Sequence, residues 1–144
     1  MDRLDVLQSL VASSHRLVRI VDRELGSRTP AAQWRTLAVL REEGPMRIGE
    51  LAAACRVTQP GITRLVAAMT DEGLVAREHD ESDARATRVR ATDAGLDALE
   101  RWETQLRLGL APRFMDLGER DWDAIARVAA LLAERTRESA GASR

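Results

Sequence analysis

The sequence predicts a mainly α-helical fold with one small β-hairpin. Aromatic residues make up only 3% of the 144 residues, β-branched residues are sparse, and leucine and alanine are plentiful. This composition favours helices over a sheet core. Apolar residues recur at helical spacing along most of the chain, and only two short runs near its middle alternate. The length suits one domain, alone or with a dimerising appendage.

Two helices are expected before the middle of the chain. Apolar residues at three-to-four spacing predict one long amphipathic helix over Leu4–Leu25. Thr29 followed by Pro30 is typical of a helix start, because proline fits the first helical position. This second helix should carry Trp34 on its apolar face and end at Gly44.

A compact pair of helices follows. The first is expected over Ile48–Cys55. The second begins after Thr58, whose hydroxyl suits an N-cap, and Pro60 in its first turn lacks only an N–H that would have no partner there. Gly73 is expected to end it. The large apolar residues of this helix share one inward face, which is made of Ile62, Leu65, Val66 and Met69.

The two alternating runs predict a β-hairpin. The expected strands are Leu74–Arg77 and Thr87–Ala91, and the turn-forming stretch Asp80–Ala84 joins them, with Arg85 just beyond the tip. Alternation along the second strand puts apolar residues on one face and arginines on the other, namely Val89 and Ala91 against Arg88 and Arg90.

The C-terminal part is again helical. Thr92 caps a fifth helix that should kink or break at Pro112, and a sixth helix is expected over Glu119–Arg137, followed by a disordered tail. The apolar stripes of the first and last helices are too rich for a small monomer, which predicts that they pair across a two-fold axis. The expected division is dimerisation helices at residues 1–28 and 112–144 around a central lobe, with its linking helix, at residues 29–111.

The distribution of charge is more informative than its sum. The chain has 22 basic and 23 acidic residues, a formal net charge of -1, and every basic residue is an arginine. Residues 56–70 and 85–92 contain arginines and no acid. A base-composition bias of the source genome would equally explain the lack of lysine. Arginine's planar fork nevertheless suits phosphates, guanine edges and narrow grooves.

Elements in this order make a winged helix-turn-helix, in which one helix enters the major groove of DNA and a hairpin flanks it. The helix that Thr58 caps has Gln59, Thr63 and Arg64 on its outward face. Glutamine can pair with adenine, threonine can contact a phosphate or a thymine methyl, and arginine can pair with guanine. An arginine at a hairpin tip reaches the adjacent minor groove. Each feature alone is more often a solvated surface, and it is their order and spacing that favour DNA binding.

Several stretches resemble the multiple-antibiotic-resistance regulator (MarR) family of bacterial transcription factors. They are Gly49–Ala52, Val57–Val66 and Asp71–Arg77, followed by a wing pattern. The wing pattern is an acidic residue, two spacers, Asp, one spacer and Arg, then a strand that ends in Thr and Gly. This sequence matches it at Asp80, Asp83, Arg85, Thr92 and Gly95.

The resemblance implies a homodimer that binds a pseudo-palindromic operator in double-stranded DNA as a ligand-responsive repressor. Five residues are then expected to face the major groove, namely Thr58, Gln59, Pro60, Thr63 and Arg64. Arg85 would enter the minor groove, and Asp83 would brace the wing by pairing with an arginine. The phosphate backbone is expected to be contacted by Arg47, Arg77, Arg88 and Arg90. In the alternative reading, one or two of Arg77, Arg88 and Arg90 pair with an acid of the turn, that is with Asp80, Glu81 or Asp83.

In this family, small aromatic or phenolic ligands bind between the dimerisation helices and the DNA-binding lobe. The resemblance therefore makes His15, Arg19 and Trp34 the candidates for holding a small aromatic or anionic effector. In the alternative, Trp34 is a core residue and His15 lies at the surface or in an interface. Cys55 occupies an apolar position that suits a buried inert thiol better than a redox sensor.

Other classes of protein fit the sequence less well. One cysteine and two histidines provide no metal cluster, so neither a metal nor another cofactor is expected. The sequence has no Gly-rich phosphate loop and no nucleophile beside a base, so it does not predict an enzyme. No segment is apolar enough to span a bilayer or act as a signal peptide, which predicts a cytoplasmic protein without a membrane partner. The remaining rival is a winged-helix protein-interaction module without DNA affinity, and weak dependence of binding on salt would favour it.

Overall fold

The computed structural model of the chain describes residues 2–24, 26 and 31–141, with side chains up to residue 136. That part of the chain forms six helices and three strands. They are α1 (Arg3–Glu24), α2 (Ala31–Glu43), β1 (Met46–Arg47), α3 (Ile48–Cys55), α4 (Gln59–Asp71), β2 (Val75–Asp80), β3 (Asp83–Ala91), α5 (Asp93–Phe114) and α6 (Glu119–Gly141). By its internal contacts the chain forms two compact units, residues 1–109 and 110–144, and the boundary lies within α5.

Local signals fix the helix ends in the middle of the chain as predicted. The Thr58 hydroxyl caps α4 by accepting a hydrogen bond from the backbone N–H of Gly61, at 3.2 Å. Gly44 and Gly73 follow α2 and α4 with φ of +78° and +76°, a conformation that glycine adopts without strain. Arg56 ends α3 in the same left-handed region, at φ +56°. The helix start predicted at Thr29 and Pro30 lies outside the described residues.

Two predictions about the C-terminal helices are wrong. The break expected at Pro112 as the alternative to a kink does not occur, and α5 continues to Phe114. A proline this close to a helix end costs the helix only one of its own hydrogen bonds, and the next turn still closes through the Met115 N–H and the Ala111 carbonyl at 3.0 Å. α6 continues to Gly141, so the start of the tail that was expected to be disordered is helical. The last three residues lie outside the described part.

A three-stranded antiparallel sheet replaces the predicted two-stranded hairpin. Strand β1 was not predicted, and it pairs with β3 through Met46↔Val89 and Arg47↔Arg88. The strand order is β1-β3-β2. Two residues are too few to show an alternating pattern, so β1 exists only because β3 offers it an edge. This pairing joins the strand that leads into α3 to the hairpin, which we call the wing (β2, β3 and the turn between them).

The wing is longer and its turn tighter than predicted. The turn is Glu81–Ser82, between the paired residues Asp80 and Asp83, instead of the five residues Asp80–Ala84. The next pair down the wing is His79↔Thr87. Three residues of β3, numbers 84–86, therefore have no counterpart on β2 and form a bulge. A bulge of this kind redirects the side chains it contains.

The core lies where α2, α3 and α4 pack on the base of the sheet and on α5. Its fully buried large side chains include Leu37, Leu51, Ile62, Val66, Met69, Val75, Val89 and Leu99. The inward face predicted for α4 is thus confirmed at Ile62, Val66 and Met69, and Leu65 is partly buried against the same cluster. No helix in the described ranges has both the length and the apolar character needed to cross a membrane.

The two terminal helices leave most of their apolar residues uncovered within the chain. In α1 only Val21 is buried, and the exposed residues of its stripe are Leu4, Leu7, Val11 and Val18. Along α6 the exposed apolar residues are Trp122, Ile125, Val128, Leu131 and Leu132. Each stripe has helical spacing, so each forms a continuous apolar face on its own helix.

Candidate DNA interface

Helix α4 presents a polar surface because its apolar face is buried in the core. Ile62, Val66 and Met69 are fully buried. The five residues that were predicted to face the major groove are all exposed, namely Thr58, Gln59, Pro60, Thr63 and Arg64. They lie in the first two turns of the helix, which is the part that a major groove admits.

Hydrogen bonds decide what the two threonines of this surface offer to a ligand. The Thr58 oxygen accepts from Gly61, so its own proton remains available to a phosphate. Thr63 donates its hydroxyl proton to the Gln59 carbonyl at 2.8 Å, which leaves it acceptor lone pairs and a methyl group. Arg64 makes no hydrogen bond or ion pair with any residue in the described ranges and is free for base contact.

Arg85 is the central residue of the bulge in β3. Its side chain is exposed, and its backbone N–H donates to the Asp83 carboxylate at 3.0 Å. This bond closes a local turn over the bulge, because an aspartate that accepts from the residue two positions on mimics a backbone turn. Asp83 therefore shapes the backbone at Arg85, whereas the pairing with an arginine that was expected of it belongs to Asp80.

Asp80 joins the wing to the strand that precedes α3. Its Oδ2 accepts from Arg47 Nε at 2.7 Å, and its Oδ1 accepts from both the backbone N–H and the hydroxyl of Ser82, at 3.0 and 2.8 Å. The Ser82 hydroxyl, the Ser82 amide and the Arg47 guanidinium together lower the pKa of Asp80 to about 2. The same hydrogen bond raises the pKa of Arg47. Asp80 was expected only as a residue of the wing pattern and as an alternative partner of Arg77, Arg88 or Arg90, so its bond to Arg47 was not predicted. An aspartate two residues before a serine in a turn is nevertheless a signal for the bond to Ser82.

The remaining wing arginines pair with an acid that was not predicted. Arg88 and Arg90 both contact Glu78, at 3.1 and 3.5 Å, because all three lie on one face of the sheet. The acids expected to pair with them were Asp80, Glu81 and Asp83. Arg77 lies on the other face, is exposed, and has no ion pair within the part of the chain that the structure describes.

The effector candidates are not joined to one another by any hydrogen bond or ion pair among the described residues. Trp34 stacks on Trp102, with ring centroids 5.5 Å apart and an angle of 19° between the planes. Both rings are partly buried, and neither buried indole N–H has an acceptor among the described residues. His15 and Arg19 are exposed on α1, and no hydrogen bond or ion pair in the described ranges joins them to either ring. Cys55 is buried, with its sulfur 3.7 Å from the Thr36 hydroxyl, as an inert thiol would be.

A family model described as the MarR family matches residues 28–86. The chain is 31% identical over 122 residues to an HTH-type transcriptional regulator of Mycobacterium leprae, which covers 81% of this chain and 85% of that protein. It is 35% identical over 75 residues to the HTH-type transcriptional repressor IacR of Pseudomonas putida. That match covers 52% of this chain and only 45% of IacR.

Solved structures share the fold over nearly the whole chain. A MarR family protein from Bacillus stearothermophilus superposes with a TM-score of 0.74 at 25% identity, covering 95% of this chain and 99% of that one. BpsR of Bordetella bronchiseptica, whose DNA binding is regulated by 6-hydroxynicotinic acid, superposes with a TM-score of 0.61 at 22% identity, over 89% and 92% of the two chains. Together with the geometry of α4 and the wing, these matches establish that the chain belongs to the MarR family of DNA-binding transcriptional regulators.

Proposed function

We propose that the chain is a homodimeric, ligand-responsive repressor that binds a pseudo-palindromic operator. The observation that carries this proposal is the exposed polar surface of α4 above a fully buried apolar face. The buried apolar face fixes α4 to the core, and the exposed polar face is then available to contact another molecule. In a winged helix-turn-helix that molecule is DNA.

Individual side chains have distinct roles in this proposal. Arg64 binds a guanine, because its guanidinium donates two hydrogen bonds to the guanine edge. Gln59 binds an adenine, because its side-chain amide both donates to and accepts from the adenine edge. Pro60 and Thr63 contact the groove through apolar atoms and lone pairs. Thr58 donates to a phosphate at the helix N-terminus. Arg85 enters the minor groove from the bulge, where Asp83 shapes its backbone.

Arg47 and Arg88, which are neighbours across β1 and β3, neutralise phosphates next to the wing. Each is already paired with a carboxylate, Arg47 with Asp80 and Arg88 with Glu78, and each side chain is partly exposed, 43% and 30%. A paired guanidinium retains further N–H donors, so it can bind a phosphate without releasing its acid. The pairs reduce the net charge that each arginine brings to the DNA.

The dimer is expected to form through residues 1–28 and 112–144. The support is the uncovered apolar face on α1 and the uncovered apolar face on α6. Faces of this size are costly in water and mark a protein interface. The two copies of α4, related by the two-fold axis of the dimer, then match the two half-sites of an operator.

The effector belongs to the class of small aromatic or anionic molecules, and the regulator acts in the cytoplasm. IacR is a repressor, and the DNA binding of BpsR is regulated by a small aromatic acid. In this chain Trp34 supplies a stacking surface and, with Trp102, two buried indole N–H groups that lack an acceptor. Arg19 supplies positive charge, and His15 a ring N–H donor, for an anion that approaches α1.

Footprinting on DNA that the protein itself selects tests the proposal. Fragments retained from a random-sequence pool should contain two half-sites whose centres lie about one helical turn, roughly 10 bp, apart. Val11→Glu puts a charge on the apolar face of α1 and should yield a monomer with lower affinity. Ser9→Glu adds the same charge at an exposed position on the opposite face of the helix and should leave both properties unchanged. Protection of one asymmetric half-site by a monomer would contradict the proposal.

A further inference from the structure

The carboxylate of Asp80 is nearly inaccessible although it lies at the end of an exposed hairpin. Asp80 is only 8% exposed. Its two oxygens accept from three donors, which are Arg47 Nε, the Ser82 amide and the Ser82 hydroxyl. By contrast, the neighbouring Glu81 is exposed, and its carboxylate makes no hydrogen bond or ion pair with any residue that the structure describes.

The contacts of Asp80 join two parts of the DNA interface that are 33 residues apart in sequence. On one side, Ser82 forms the wing turn, three residues before Arg85. On the other side, Arg47 is the N-cap residue of α3, and its side chain makes no capping hydrogen bond to that helix. The start of α3 lies next to the start of α4, as shown by the 3.9 Å between a Cβ added at Gly49 and Gln59 Oε1.

The pairing also fixes the direction of Arg47. Asp80 uses the Nε edge of the guanidinium. The two Nη groups have no hydrogen-bond partner within the described ranges, and 43% of the side chain is exposed. A guanidinium held along one edge presents its remaining donors in a fixed orientation, since the group is planar.

We propose that Asp80 is a positioning residue for DNA binding, which locks Arg47 and the wing turn into one arrangement so that Arg47 and Arg85 meet the DNA together. The inference rests on the proposed DNA-binding role of these two arginines. It assigns the function to a carboxylate, a group whose charge by itself repels phosphate. The positioning role and the negative charge of Asp80 therefore predict opposite effects of its substitution on DNA affinity, so an experiment can separate them.

The test compares two substitutions that each remove one negative charge from the same turn. Loss of a charge alone should strengthen binding to DNA, because a repulsion between carboxylate and phosphate disappears. Glu81→Gln should therefore leave operator affinity unchanged or raise it slightly. Asp80→Asn removes the same charge but also the charged anchor of Arg47, and should lower affinity about tenfold, because the guanidinium is then no longer held in one orientation. The probe is a fluorescent duplex selected from a random-sequence pool by the wild-type protein.

A double-mutant cycle shows whether Asp80 acts through Arg47. Arg47→Gln should lower affinity, and adding Asp80→Asn to it should have little further effect, because the residue that Asp80 positions is already gone. Hydrogen exchange in the free protein gives a readout that does not involve DNA. Asp80→Asn should accelerate exchange of amides 82–86 more than exchange of the amides of α4, which follows only the loss of global stability, whereas Glu81→Gln should change neither.

Each alternative outcome has a distinct meaning. If Asp80→Asn binds as well as or better than Glu81→Gln, the positioning role is wrong, and the charge of Asp80 is merely repulsive. Equal acceleration in amides 82–86 and in α4 would also overturn it, because Asp80 would then act only through the global stability of the fold and not by positioning. If the wild-type protein selects no duplex, the proposed function fails, and this inference fails with it.

Discussion

Replacing Gly95 with alanine should destabilise the protein strongly, because this glycine lies where α5 meets the base of the wing. A Cβ at Gly95 would overlap the Leu74 carbonyl oxygen and come within 3.1 Å of Leu37 Cδ2. The Leu74 carbonyl cannot simply move away. It accepts from the Thr92 N–H at 3.1 Å, and the Leu74 N–H itself donates to Met69 at 2.9 Å.

The expected loss follows from the two contacts that must give way. Inserting one methyl group into a packed site costs about 1 to 3 kcal/mol. Losing the hydrogen bond between Thr92 and Leu74 adds about 1 kcal/mol. The free energy of unfolding should therefore fall by about 2 to 4 kcal/mol, which corresponds to a Tm lower by about 5 to 15 °C in a chain of this size.

Thermal unfolding at one protein concentration measures this loss, since the Tm of the proposed dimer would depend on concentration. Gly49→Ala is the matched control. Gly49 also lies in the first turn of a helix, but a Cβ there meets only Gln59 Oε1, at 3.9 Å. Alanine at this position should be neutral or stabilise the helix by up to about 1 kcal/mol. The reasoning is refuted if the Tm of Gly95→Ala stays within about 2 °C of the wild type, a shift of at most about 1 kcal/mol.

Three further predictions concern α4 and the wing. Thr58→Ala removes the cap bond to Gly61 and should lower the free energy of unfolding, measured in urea, by about 1 kcal/mol; no change would mean that water replaces the cap. Arg64→Ala should cost about 1 to 3 kcal/mol in operator binding and relax the preference at one base pair, whereas Arg88→Ala should weaken all duplexes alike; equal effects on selected and random DNA would exclude base reading by Arg64. Because the pKa of Asp80 is lowered to about 2, its carboxylate should stabilise the folded state at neutral pH, and this stabilisation should disappear as the pH falls from about 4 towards 2. Wild type and Asp80→Asn should therefore differ in unfolding free energy at neutral pH and converge in acid, and a constant difference would refute the pairing.

Residues that act on their immediate neighbours were predictable from the sequence. Thr58 starts α4 and Gly73 follows its end, because a cap hydroxyl and a left-handed glycine each act within one turn of the chain. The exposed face of α4 followed from helical spacing alone. Pro112 was expected to interrupt α5 because proline breaks helix interiors. Near a helix end, however, it removes only one backbone hydrogen bond, and α5 continues past it.

Contacts between distant segments could not be found in this way. β1 consists of two residues whose strand conformation depends on pairing with Val89 and Arg88. The bond between Arg47 and Asp80 spans 33 residues and arises only once that pairing has formed. The bulge at Arg85 likewise depends on a change in register between β2 and β3. A hairpin can be predicted from alternation, but its register is set by its partners.

The dependence of DNA binding on salt tests the central claim most directly. Each phosphate that an arginine neutralises releases a counterion, so the logarithm of the affinity should fall linearly with the logarithm of the salt concentration. For a dimer with six or more phosphate contacts, affinity should fall roughly a thousandfold between about 50 and about 200 mM salt. Arg85→Ala should bind more than about tenfold more weakly than the wild type, or about 1.4 kcal/mol. A wild-type protein whose affinity hardly changes with salt, and whose Arg85→Ala variant binds equally well, would contradict the account.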